Sequence, residues 1–402
     1  MNDALHELAA VPRLRVHALV DTLGSGGAEF LLADFAAVAA AAGIDLSVAA
    51  IEPLDPPSAA ADRLRRNGLE PETVGTRRMV GRKAFRRMRA HLLRHDPDIV
   101  HTHLGTADVL GGIAAWSLRI PSVTTIHADT WLPQSQREHL KAWLTTRVRR
   151  HCAETVIAVS DSARRAYLTQ GRDVPSHVTV VRNGIVDRAA SGSGMRVRGE
   201  LGLTPDNLVI ATASVLRAEK NLETAIDALA LLLDRFPQAR LVIAGDGPHE
   251  DVIRNHAARL EEAVILAGHR DDVMEVLDSA DVLIHPSHFD AFPTTVLEAM
   301  AASVPVVATG VGGMVEIVES HTTGILVAPP PSAEAFAGAL APLLADTSLR
   351  RRLGTAGRRR YEREFGAEPW AQRTRAVYDR ILSTRQARPR RAADLSASTG
   401  TR

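Results

Sequence analysis

The chain has one cysteine among its 402 residues. Cys152 has no internal partner for a disulfide, and no Cys/His spacing of a zinc module occurs, which points to a reducing compartment. Aromatic residues make up only 4%, so the interior must be filled by small aliphatic side chains and closely packed helices. Neither sign of charge dominates: the formal net charge is +1, which supplies no global field for nucleic acid. A long hydrophobic run is missing too. The longest apolar stretch, Phe30 to Ile51, is interrupted by Asp34, Gly43 and Asp45, which is wrong for a membrane span. The opening MNDALHELAA carries Asp3 and Glu7 and lacks a basic region followed by an apolar core, so it does not read as a signal peptide. A cytoplasmic protein is expected. Peripheral placement on the inner membrane face is an option opened by the basic segment Arg77 to Arg94.

What is present is globular, with 45% hydrophobic and 24% charged residues, and the length is too great for one compact core. Short aliphatic runs alternate with amphipathic stretches, twice over. Leu14 to Val20, Asp45 to Ile51, Asp98 to Val100, Ser122 to Ile126, Thr155 to Val159 and Val178 to Val181 read as strands of a first doubly wound parallel sheet. A Gly/Ser-rich, charged segment near 186–206 reads as a linker. A second set follows at Leu208 to Thr212, Arg240 to Ala244, Val264 to Leu266, Val282 to Ile284, Val304 to Val307 and Ile325 to Val327. Helices are expected to begin near Asn221, Pro248, Asp271, Thr295, Met314 and Ser332. The expected division is one Rossmann-like domain over 1–190, a second over 191–369, a terminal helix over 370–385 preceded by breaks at Gly366 and Pro369, and a disordered tail over 386–402.

The most informative block is DVLIHPSHFDAFPTTVLEAMAASVPVVATGVGGMVEIV, from Asp281 onward. Val282 to Ile284 suits a buried parallel strand, and Val296, Leu297, Ala299 and Met300 have helical spacing with Pro293 and Thr294 where the first turn would begin. A strand-loop-helix junction presents the unpaired N–H groups of Thr294, Thr295 and Val296, and a diphosphate is their natural occupant. Glu298 can accept both hydroxyls of a ribose, while Asp290 can reach a sugar beyond the phosphates. A carboxylate here can also merely offset the helix dipole.

This block resembles the donor-binding motif of the retaining glycosyltransferases of family four, in which two glutamates seven residues apart precede an Ala-Met or similar pair. Glu298, followed by Ala299 and Met300, matches the second. Asp290 stands for the first with one methylene fewer, and Ala291 replaces the usual glycine. Gly312, Gly313 and Glu316 match the next segment. The resemblance implies a GT-B fold, an α/β architecture of two Rossmann-like parallel-sheet domains facing a cleft. The first would bind the acceptor and the second the nucleotide sugar, with the terminal helix crossing back onto the first domain.

Further site residues follow from that resemblance. Gly24, Gly26 and Gly27 form a loop ahead of a helix, where a backbone can approach an anion. It fails as a dinucleotide fingerprint because Glu29 occupies the third glycine's place. Gly26 and Gly27 nonetheless resemble the family's loop over the donor diphosphate. Lys220 matches a family lysine, and Val215 stands where an arginine is usual, with Arg217 as the replacement charge. Together Lys220 and Arg217 would neutralise the departing diphosphate. His127 matches a histidine beside the donor sugar, and His103 is expected on the acceptor side. Isolated histidines of this kind are also common structural residues. Ser160 and the Asn183-Gly184-Ile185 turn resemble segments near the domain boundary. Gly245, in VIAGDGP, forms a second flexible loop, and Arg270, in LAGHRDDV, sits at the base-contacting position.

The segment RRMVGRKAFRRMRAHLLR, Arg77 to Arg94, holds eight basic residues and no acid. It is either a solvated face or an interfacial helix on anionic lipid, with Met79, Phe85, Met88 and Leu92 as its apolar side. No aromatic platform accompanies it, so nucleic acid is not an expected partner.

The expected activity is transfer of a sugar, with retention, from a nucleotide diphosphate sugar to a hydroxyl of a saccharide, lipid-linked or small-molecule acceptor, in polysaccharide or glycoconjugate biosynthesis. No cofactor or catalytic metal is expected, because cations and helix N-termini would hold the diphosphate. Two alternatives stand beside it. One is a degenerate nucleotide-sugar-binding scaffold, suggested by Val215, Asp290 and Ala291. The other is a GT-B sugar-nucleotide epimerase, whose acid/base pattern the sequence does not display.

Overall fold

The computed structural model describes residues 13–24, 26–54, 58–127, 135–171, 173–188 and 193–387. The expected tail beyond 387 and the first twelve residues lie outside this set.

Two wholly parallel sheets organise the chain. The first contains β1 (Leu14–Val20), β2 (Ile44–Ala50), β3 (Glu72–Thr73), β4 (Ile99–His103), β5 (Ser122–Ile126), β6 (Thr155–Ala158) and β7 (Val178–Val180), in the order β3-β2-β1-β4-β5-β6-β7. The second contains β8 (Leu208–Ala213), β9 (Ala239–Ala244), β10 (Val264–Gly268), β11 (Val282–His285), β12 (Val306–Thr309) and β13 (Gly324–Val327), in the order β10-β9-β8-β11-β12-β13. Helices cover the sheet faces, so strands such as β4, β5, β11 and β12 are buried along their whole length. This is why they read as continuous apolar or β-branched runs rather than alternating ones. The architecture is the expected GT-B fold. Among the described strands only the two-residue β3 escaped the sequence reading, being too short to show any periodicity, and the segment read as a linker near 186–206 contains a helix, Gly194–Glu200.

In each sheet the strand order reverses once, between β1 and β4 and between β8 and β11. Loops leaving the carboxyl ends of such strands diverge to opposite faces and open a crevice. Both crevices here face the same interdomain space.

The helix Ala367–Ala387 crosses back to the first sheet. Trp370 sets its edge on Phe35 at 5.1 Å between ring centroids, and Tyr378 Oη lies 2.6 Å from His101 Nδ1. Arg375 donates to the carbonyls of Ala42 and Gly43. One apolar cluster therefore runs from Val16 and Phe35 through Trp370 and Phe365 to Val296 and Leu283. Gly366 does break the chain, as expected, but Pro369 does not. It lies in the first turn of the helix, where its missing N–H would have had no partner anyway.

Candidate functional site

A cleft of about 430 Å³ separates the two domains. Its walls bring together Gly26, Gly27, His127, Arg217, Lys220, Gly245, Arg270, Asp290, Thr294, Thr295 and Glu298. Val296 contributes no side chain, being fully buried, although its N–H belongs to the same helix start. His103 lies behind the wall.

Two helix N-termini border the cleft from opposite sides. Helix Gly27–Ala39 follows β1 and begins after Gly26, whose backbone is extended. Helix Thr294–Ala301 follows β11, and neither a capping side chain nor an acid sits in its first turn. Its positive end and the N–H groups of Thr294, Thr295 and Val296 thus stay available to an anion. Thr295 Oγ1 donates to Ala213 O at 2.9 Å, fixing the helix start to the end of β8.

The loop bearing Asp290 is held from three directions. Lys220 Nζ lies 2.6 Å from Asp290 Oδ2, and His285 Nε2 lies 3.2 Å from the same oxygen. Burial alone would raise this carboxyl; the His285 hydrogen bond and the Lys220 charge outweigh it and hold Asp290 at about 2. His285 itself is fully buried, and desolvation keeps its imidazole neutral. The third support is backbone: Gly313 N–H donates to Asp290 O at 3.0 Å. A Cβ on Gly313 would stand 2.0 Å from Ala291 O, so only glycine permits this approach. The VGG segment therefore acts by pressing on the Asp290 loop. Gly245 serves similarly on the other wall, at φ +134° with Ser214 O where its Cβ would be.

Glu298 stands one turn into its helix, and its carboxylate accepts no hydrogen bond among the described residues. Desolvation, with a contribution from nearby Asp34, pushes its carboxyl up to about 7, against the pull of Arg188. A half-buried carboxylate without a donor is costly unless a ligand supplies one.

Arg217 is 58% exposed at the mouth, with Glu219 as its nearest acid at 3.8 Å. Arg270 reaches the cleft, but its guanidinium is bound to Asp272 at 2.6 Å and Glu200 at 3.0 Å.

His127 Nε2 lies 3.0 Å from His103 Nδ1. Burial drives both imidazoles well below their ordinary range, with His101 adding to the effect on His103, and His103 and Arg149 to that on His127, so both are neutral. His103 was expected to line the acceptor side; it is 7% exposed within β4 and acts on the cleft through His127. A second cavity of about 590 Å³ adjoins the first and shares Gly26, Gly27, His127 and Arg217 with it. Lys141, Thr145 and Arg149 furnish its far wall. Arg149 is held by the buried Asp108, with Nε donating at 2.8 Å.

Sequence reading missed several of these groups. Lys141 and Arg149 sit on helix Gln136–Cys152, which looks like any charged amphipathic stretch. Glu316 was noted only as a motif match. Its Oε1 accepts from the N–H of Asp161 at 2.8 Å and its Oε2 from Arg182 Nε at 2.9 Å, capping a helix of the other domain. Asp34, 2% exposed, takes Arg63 at 2.6 Å and also Arg188.

The basic segment forms helix Arg82–His95. Met88 and Leu92, the apolar side in the interfacial alternative, are fully buried in one cluster with Leu19 and Leu110. Its outward face is basic, with Arg82, Lys83, Arg86 and Arg87 exposed. None of the described helices is long and apolar enough to cross a membrane.

Comparison with known proteins identifies the family and agrees with the fold. The family "Glycosyltransferase Family 4" matches residues 25–188, and "Glycosyl transferases group 1" matches residues 196–360. Glycogen synthase of Mycobacterium tuberculosis is 30% identical over 296 residues, covering 70% of this chain and 68% of that protein. D-inositol 3-phosphate glycosyltransferase of Kribbella flavida is 28% identical over 313 residues, covering 71% and 72%. Among solved structures, Anabaena HepE in complex with UDP and glucose superposes with a TM-score of 0.78 at 22% identity, over 92% of this chain and all of that one. WaaG, a glycosyltransferase involved in lipopolysaccharide biosynthesis, gives 0.70 at 18% identity, over 91% and 99%. The paired carboxylates, the uncapped helix start and Lys220 thus stand in a chain that belongs to the group 1, family-four glycosyltransferases, enzymes of the GT-B fold.

Proposed function

We propose that the enzyme transfers a sugar, with retention, from a nucleotide diphosphate sugar bound in the interdomain cleft to a hydroxyl presented from the adjoining cavity. One observation carries this reading: the uncapped start of helix Thr294–Ala301, Lys220 and the donorless Glu298 converge on one cleft. The spacing suits a diphosphate at the helix start, with the ribose diol donating to Glu298. The base then lies against the backbone near Gly245 and Arg270. Asp290, committed to Lys220 and His285, is placed to orient sugar hydroxyls rather than to attack.

Charge grows on the diphosphate as the anomeric C–O bond breaks, and Lys220, Arg217 and the helix N–H groups are pre-positioned to offset it. The acceptor oxygen bonds to the anomeric carbon on the face the phosphate leaves, and its proton passes to a phosphate oxygen. His127, a neutral imidazole, serves as a hydrogen-bond partner for the sugar rather than as a cation. The protein cations replace a divalent metal in this scheme, so adding Mg²⁺ or Mn²⁺ should leave the rate unchanged.

Lys141 and Arg217 give the acceptor cavity a cationic wall, which favours an acceptor carrying an anionic group. Contact with anionic lipid, if the acceptor is lipid-linked, would be electrostatic through Arg82, Lys83 and Arg86. Exposed Leu140 and Trp143 on the helix that walls the cavity would add apolar contact. Liposomes containing anionic lipid should bind the wild type, and Lys83→Glu/Arg86→Glu should abolish that; equal binding by both would end the membrane idea.

The decisive experiment incubates the protein with UDP-, GDP- and ADP-sugars and follows hydrolysis and transfer, with product anomer assigned by NMR. Turnover of one donor with a retained anomer is expected. Binding of a nucleotide with no turnover, unaltered by Asp290→Ala, would instead identify a scaffold.

A further inference from the structure

Away from the cleft, three histidines meet between the first sheet and the helix Arg82–His95. His17, in the middle of β1, is fully buried and projects to the same sheet face as Leu19, which packs on Met88 and Leu92 of that helix. His91 and His95 are one turn apart on the helix and so share a face. Ring centroids are separated by 4.4 Å for His17 and His95, 4.9 Å for His17 and His91, and 4.6 Å for His91 and His95. One nitrogen from each lies within 4.8 Å of the others. Glu72, on β3, approaches from outside, its Oε1 3.2 Å from His95 Nε2.

We propose that His17, His91 and His95, with Glu72 as the fourth ligand, form a structural site for a transition-metal dication, zinc above all. Imidazole and carboxylate in a four-ligand set suit zinc rather than magnesium or calcium. Tetrahedral zinc with bonds of about 2.0–2.1 Å needs ligand atoms ~3.3 Å apart. The His17 and His91 Nε2 atoms are 2.9 Å apart, so a small rotation opens that edge. His95, whose side chain retains 18% exposure, supplies the larger adjustment.

The outer contacts favour the site. His17 has its outer partner in place: Ser47, directly across the ladder on β2, has its Oγ 2.7 Å from His17 Nδ1. Such a bond fixes the tautomer that leaves Nε2 for the metal. The competing arrangement is a hydrogen-bond chain, Ser47–His17–His91–Arg94, in which Arg94 donates to His91 Nδ1 at 3.2 Å. Arg94 is 63% exposed and can swing out as the proton between the two Nε2 atoms moves to His91 Nδ1. A bound ion would clamp the two-residue β3 and the basic helix onto β1.

Full-length untagged protein is stripped with a chelator, dialysed, and titrated with Zn²⁺ against a chromophoric competitor while thermal unfolding is followed. One Zn²⁺ per chain and a raised Tm are expected, and Co²⁺ should give the intense visible absorption of a tetrahedral ion. His91→Ala and His95→Ala should abolish stoichiometric binding, and Ser47→Ala should weaken it by about 10–100-fold. Arg94→Ala should tighten it, which the hydrogen-bond chain alone does not predict. If His91→Ala fails to fold, His95→Ala at the rim decides. Failure of the wild type to bind one equivalent, or full-strength binding by His95→Ala, overturns the proposal.

Discussion

Lys220 Nζ rests 2.6 Å from Asp290 Oδ2 in the interdomain cleft, joining a turn after β8 to the loop after β11. The pair keeps a cation beside the expected diphosphate and an ionised carboxylate beside the expected sugar. Lys220→Ala should lower kcat/KM by about 100–1000-fold, the usual cost of removing one pre-organised charge-stabilising donor, and should also weaken nucleoside diphosphate binding. Asp290→Ala should reduce turnover while leaving nucleoside diphosphate affinity nearly unchanged. Calorimetry on UDP, GDP and ADP with both variants separates the two roles.

Glu298 should make donor binding pH-dependent. Its carboxyl titrates at about 7 in the free chain, and only the ionised form accepts from both ribose hydroxyls at once in charge-assisted bonds. Donor affinity should therefore rise as pH increases through 7 and level off above. Glu298→Gln should flatten that profile and weaken binding roughly 10–100-fold, as expected for a hydrogen bond to a charged group.

The same group has an opposite effect on stability. A carboxyl raised on folding binds more protons in the native state than in the unfolded one, so stability is lost as pH rises from the ordinary glutamate value towards 7. Glu298→Gln should melt higher than wild type at pH 8, with the difference shrinking towards zero near pH 4. Thermal scans without ligand at the two pH values test this.

Gly313→Ala should cost more than tenfold in activity, although residue 313 is not among those lining the cleft. Its new Cβ would stand 2.0 Å from Ala291 O, and the Asp290 loop must retreat. Ala291→Gly relieves no clash and should retain activity, so comparing the two variants isolates the backbone contact.

Glu316→Ala should loosen the pairing of the domains. It removes the acceptor of the Asp161 N–H and of Arg182, and hydrogen bonds to a charged group contribute about 1.5–3 kcal/mol. A lower Tm together with a raised donor KM is expected. An unchanged KM would show that the clasp holds the fold without shaping the cleft.

His103 and His17 illustrate where sequence reading runs short. His17 is the one histidine of β1 and His103 one of two in β4, and residue type alone in LRVHALV or DIVHTH does not say what either side chain touches. His103 meets His127 only because β4 and β5 are adjacent in register, and His17 meets His91 and His95 only because a helix 65 residues later packs on β1. The amphipathic reading of Arg77 to Arg94 was sound as periodicity, yet periodicity does not say whether an apolar stripe faces protein or lipid. Met88 and Leu92 face protein.

Local pattern alone determined the two parallel sheets, because fully covered strands must be apolar along their length and separated by helices. It also determined the strand-loop-helix junction at Asp290 to Glu298, because helix starts and strand ends carry chemical signatures. Tertiary structure decided which groups converge. The pairing of Lys220 with Asp290, the pressure of Gly313 on Ala291 and the capping of one domain's helix by Glu316 from the other span 22 to 155 residues of chain. Such contacts depend on where whole elements pack, and that is set by the summed burial of two cores rather than by any local run of residues.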